Sequence, residues 1–132
     1  MFRKIGQYEI RAEGDVIYVW SSPVFNLESA QEYAADMTKV IDGMPPRFGV
    51  IAQFETPPIL GPEVEAAMRE SARQRAARGM IAVALVTMDR HGLSIASGQW
   101  NRIYDPSGIP HAFFADLESA RTWMRGLIGA KN

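Results

Sequence analysis

Two apolar runs govern what this chain can become. Phe48 to Phe54 and Met80 to Met88 are almost free of polar residues, the pattern of strands covered on both faces rather than one. Between them, Gly61-Pro62-Glu63 opens a helix with proline at its first helical position, and Gly79 closes it. Glu63 and Glu65 lie early in that helix and Arg73, Arg75 and Arg78 late, which matches its macrodipole. Strand, helix and strand in this order make a crossover unit of a parallel sheet, so the chain must build a layered α/β domain. Met80 to Met88, the more apolar run, is expected at the centre of the sheet.

The flanking segments extend the same plan. Tyr8, Ile10 and Ala12 alternate with Gln7, Glu9 and Arg11, as in a half-buried strand. Glu13-Gly14-Asp15 turns the chain into a second strand, Val16 to Trp20, rich in β-branched and aromatic residues. Asn26 is a good N-cap for a helix whose apolar stripe is Leu27, Ala30, Ala34, Met37, Val40 and Ile41. Leu93, Ala96, Trp100, Ile103 and Tyr104 fit one face of a third helix, and Asp105-Pro106-Ser107-Gly108 is a turn by composition. His111 to Ala115 forms a short edge strand. Asp116 then caps a last helix that turns Leu117, Ala120, Trp123, Met124, Leu127 and Ile128 inward. The order is β-β-α-β-α-β-α-β-α: a single α/β domain over 1–132, its mixed and mostly parallel sheet opened by a β-hairpin, with right-handed crossovers.

Composition narrows the chemistry. The 132 residues contain no cysteine, which excludes disulfides, thiolate nucleophiles and thiolate metal sites. A net charge of −1 leaves no basic footprint for nucleic acid. No stretch approaches the ~18–20 apolar residues of a membrane span. Arg3 and Lys4 are not followed by the apolar run of a signal peptide, so the expected address is cytoplasmic.

Open α/β sheets gather ligands at the carboxyl ends of their strands. Three loops should meet there: Ser21-Ser22-Pro23, Glu55-Thr56-Pro57 and Asp89-Arg90-His91-Gly92. The expected ligand- or partner-binding residues are therefore Ser21, Ser22, Glu55, Thr56, Asp89, Arg90 and His91. Trp20, at the end of the second strand, and Trp100, on an exposed apolar edge of the third helix, join them because tryptophan is enriched at such surfaces. Arg90 and His91, at a helix start whose first turn holds no acid, offer an anion a place. Against these readings stands a plain solvated strand-to-helix turn. Ser21 or Ser22 with His91 and Asp89 supplies the residue types of a hydrolytic triad, but no Gly-x-Ser-x-Gly elbow accompanies them. Asp89, His91, Glu55 and His111 are the residues from which a metal set would be drawn. No glycine-rich phosphate loop is present, and no cofactor is expected. Trp123, Met37, Met68 and Met124 fall on helical stripes as packing residues, and the arginines at 69, 73, 75 and 78 are read as a solvated face.

Phe113-Phe114-Ala115-Asp116-Leu117-Glu118-Ser119-Ala120-Arg121-Thr122-Trp123-Met124 resembles the closing motif of the SpoIIAA-like branch of the STAS family (sulfate transporter and anti-sigma-factor antagonist). There a short aromatic strand runs into an Asp-capped helix bearing Ala and then Trp. The element order is similar along nearly the whole chain. The resemblance implies a non-catalytic regulatory domain that binds a partner protein or a small ligand. In anti-sigma antagonists a phosphorylatable Ser in an Asp-Ser-Ser-Gly motif lies between the third strand and the second helix. Here Phe54 to Pro62 contains no serine and Thr56 is its only hydroxyl, so that switch is not carried over. The SEC14-like grouping of the branch implies an alternative, a carrier of a small apolar or lipid-like cargo in an internal cavity. A third class is a hydrolase or metal enzyme using Asp89 and His91. A short edge strand and exposed tryptophan also favour a homodimer.

Overall fold

The computed structural model describes residues 8–22 and 26–129. Pro23 of the first rim loop falls outside them. The elements run β1 (Tyr8–Glu13), β2 (Val16–Ser21), α1 (Leu27–Ile41), β3 (Phe48–Phe54), α2 (Pro62–Ala77), β4 (Met80–Thr87), α3 (Leu93–Tyr104), a 3-10 turn (Asp105–Ser107), β5 (His111–Phe114) and α4 (Leu117–Gly129). Asn26 caps α1 by accepting from the Ser29 N–H at 2.7 Å, and Pro62 opens α2 behind Gly61.

The five strands lie in the order β1-β2-β3-β4-β5. β1 pairs antiparallel with β2, and the other pairs are parallel. β4, expected at the centre, lies between β3 and β5; β3 is the middle strand. Each crossover adds the next strand on the same side of the last, so helices of one hand must share one face. α1, α2 and α3 indeed pack together on the face presented by Ile17, Val19, Val50, Ala52, Phe54, Val83 and Leu85. α4 alone covers the other face, over Val16, Ile51, Ala82, Ala84 and Val86, with Ala120 and Met124 at the contact.

Two glycines make this layering possible. A Cβ on Gly49 would lie 2.1 Å from Met124 Sδ, so α4 seats on β3 only where that side chain is missing. Gly79, at φ +116°, passes so close to Pro46 that a Cβ would stand 1.9 Å from its carbonyl oxygen.

A strand order that never reverses has one consequence for function. Crevices at the carboxyl ends of open sheets arise at a topological switch point, where the order reverses. Among the described residues this sheet has none.

Candidate functional site: an apolar patch on the carboxyl-end rim

The rim is built from the β3–α2 and β4–α3 loops, and the main chain stitches them together. The Asp89 N–H donates to the Glu55 carbonyl at 3.3 Å, and Thr87 Oγ1, fully buried, donates to the Asp89 carbonyl at 2.8 Å. Glu55 and Asp89 are thus brought together as the sequence suggested, through their backbones. Thr56 is half-buried and Glu55 exposed.

Asp89 and His91 also meet. Asp89 Oδ1 accepts from the His91 N–H at 3.0 Å and faces His91 Nδ1 at 2.8 Å. The His91 main-chain N–H, then its ring, hold the Asp89 carboxyl below its ordinary value. The imidazole is 97% exposed, so the pair stands in solvent, outside any cleft. This carboxylate is itself the negative group that the turn holds, and Arg90 lies exposed beside it.

The serines belong to a different environment. Ser21 is 1% and Ser22 5% exposed, and Ser21 Oγ donates to the Ser22 carbonyl at 2.9 Å. The Ser21 hydroxyl is turned inward to a carbonyl instead of toward His91. His111 pairs with Val83 in the middle of β4, whereas Asp89 lies beyond the carboxyl end of that strand. Its ring contacts the Ile109 carbonyl and Asn101 Oδ1, away from Asp89 and His91. No group of three metal-ligating side chains comes together among the described residues.

Trp100 does not stand on an exposed edge. It is 2% exposed, stacks on Tyr104 with ring centroids 5.8 Å apart, and donates from Nε1 to the Pro58 carbonyl at 3.2 Å. Its role is to hold the β3–α2 loop from beneath. Trp20 is half-buried on the α4 face of the sheet, in a shallow groove with Glu9, Arg11, Tyr18 and Gln53. The enclosed void next to Trp100 and Tyr104 measures about 10 Å³, room for roughly one water.

The patch itself consists of residues that sequence reasoning passed over. The large hydrophobic side chains left exposed among the described residues are Ile59 at 51%, Met88 at 82% and Ile95 at 62%. All three belong to the rim: one in the β3–α2 loop, one just past β4, one in the first turn of α3. A Cβ on Gly92 would meet Ile59 Cδ1 at 3.3 Å, which places Ile59 against the β4–α3 turn. Met88 was expected as the last residue of a buried strand; β4 ends at Thr87 and leaves it outside.

A polar clamp presents Ile59. The buried Gln99 accepts from the Leu60 N–H at 2.8 Å and donates to the Leu60 carbonyl at 2.6 Å. Gln99 Nε2 also lies 3.3 Å from Glu65 Oε1. Arg102 makes a bidentate pair with Glu65 at 2.9 and 3.0 Å, and Arg69 adds a contact at 3.1 Å. Arg102 is the main reason that the Glu65 carboxyl stays ionised below the usual range, against the opposing effect of burial. With Pro58 and Leu60 buried and pinned, Ile59 between them can only face outward.

No family model, curated protein or solved structure matches the chain. Among the described residues, no helix is long and apolar enough to cross a membrane.

Proposed function

We propose that this chain is a non-catalytic, STAS-like domain that binds a partner protein through its carboxyl-end rim and acts in a regulatory role. The observation that carries the proposal is the exposure of Ile59, Met88 and Ile95 on the loops and helix start of one rim, which also carry Glu55, Asp89, Arg90 and His91. Apolar side chains clustered on a surface and ringed by polar ones are the usual form of a docking site. The methionine adds a side chain that adapts its shape to an apolar partner. The β-β-α-β-α-β-α-β-α order and the Phe113 to Met124 motif support the resemblance to the SpoIIAA-like branch. For the rim itself a protein is favoured over a small ligand because the void beside Trp100, about 10 Å³, lies far below the ~300 Å³ of a ligand cavity.

The test compares proteins captured by the wild type with those captured by a Met88→Asp/Ile95→Asp double variant of unchanged circular dichroism. A protein held by the wild type and by an Arg11→Ala control, but lost from the double variant, supports the reading. A set of captured proteins identical for all three overturns it.

A further inference from the structure

The geometry points to a second site, away from the rim: an oxyanion-binding groove between α1 and α2 with Arg75 in its lining. The groove is open to solvent and has a volume of about 500 Å³. Arg75 is 5% exposed, although the sequence pattern assigned it to a solvated face. Its guanidinium lies 5.2 Å over the Tyr33 ring, and its Nη2 is buried without any hydrogen-bond partner. The neighbouring cations are neutralised, since Arg73 pairs with Glu70 and Arg78 with Asp42. Arg75 alone has no carboxylate among the described residues, and so carries the uncompensated charge of the groove.

A buried guanidinium without an acceptor is unfavourable, and an anion seated in the groove would relieve it. A planar guanidinium favours carboxylate or phosphate, which it can engage through two parallel N–H donors. Ser71, one turn earlier on the same face of α2, lines the groove with a hydroxyl that no described group engages. Thr38, opposite, already donates to the Ala34 carbonyl at 3.0 Å. Ala34, Ala35, Ile41 and Ala77 give the groove an apolar stretch of wall, beside Gln74, whose Nε2 already donates to Glu70 at 3.0 Å. The ligand class is therefore a small molecule with one carboxylate or phosphate group on a compact apolar body, the anion held by Arg75 and Ser71.

The test is an amide-resolved NMR titration of the full chain with sodium phosphate, with sodium hexanoate, and with sodium chloride at matched ionic strength. Saturable shifts at Thr38, Ser71 and Arg75 with phosphate or hexanoate, and none with chloride, are expected. Phosphate alone acting would identify a phosphate-bearing ligand, and hexanoate alone a carboxylate on an apolar body. Arg75→Met should weaken the effective anion about tenfold or more, and Ser71→Ala should weaken it less. Shifts that fail to saturate in the wild type, that chloride reproduces, or that survive unchanged in Arg75→Met would overturn the proposal. The wild-type titration and Ser71→Ala decide the matter even if Arg75→Met does not fold.

Discussion

Gln99→Leu isolates the clamp that presents the rim. Leucine keeps nearly the volume of glutamine, so the cavity term is small and the loss is one of hydrogen bonding. The buried Leu60 loses the acceptor of its N–H and the donor to its carbonyl. Each main-chain group left buried without a partner costs about 1–3 kcal/mol. Glu65 loses a contact of 3.3 Å but keeps Arg102 and Arg69, so little is added there. The sum is about 2–6 kcal/mol, a large part of the ~5–15 kcal/mol that holds an ordinary domain together. For a chain of this length each kcal/mol moves Tm by about 3–5 °C, so Gln99→Leu should melt roughly 6–30 °C below the wild type. Urea unfolding followed by circular dichroism gives the free energy, and an unchanged m-value would show that the denatured state is not responsible. A loss below ~1 kcal/mol would refute the claim that this amide holds the loop.

Three further outcomes follow from the packing and the charges. Gly79→Ala should lower stability by more than about 3 kcal/mol, because it combines a φ of +116° with a Cβ 1.9 Å from Pro46 O; thermal melting checks it. Asp116→Ala removes an oxygen that accepts from the Ser119 N–H at 2.7 Å and should cost about 1 kcal/mol, read by urea unfolding. Glu65, whose carboxyl is held below its ordinary value chiefly by Arg102, stabilises the fold fully above the unfolded-state value of about 4.3; that contribution is lost as pH falls through the lower folded value. Stability measured against pH should therefore drop more steeply below pH ~4 in the wild type than in Glu65→Gln.

Where one physical signal dominated, the sequence was legible. Asn26, Pro62 and Asp116 mark helix starts because capping chemistry is local. The stripe on α4 holds because that helix meets only the sheet, leaving one broad face to solvent. α3 is harder to read. Wedged against α2 and β5 as well as the loop below it, it buries Gln99 and Trp100 on a face wider than its apolar residues indicate. The burial of Arg75 and Glu65 has no sequence signal, because the same charges at the same spacing would suit a solvated helix. Nor could the patch be seen in advance. Ile59 and Met88 are single apolar residues beside buried ones, and only the end of β4 and the clamp on Leu60 decide that they face outward. Two of the carboxyl-end loops, those of Glu55 and Asp89, did converge, but a crevice depends on strand order, which one chain's pattern does not reveal.

The central claim is that the rim docks a protein, and methionine-methyl NMR of the chain with its captured partner tests it most directly. The seven methionines include the exposed Met88 on the rim, and Met37, Met68 and Met124 in the core. The account predicts that the Met88 methyl signal shifts or broadens on partner addition while those three stay in place, and that Ile59→Ser weakens the partner's binding. A partner that binds with the Met88 signal unmoved would contradict it.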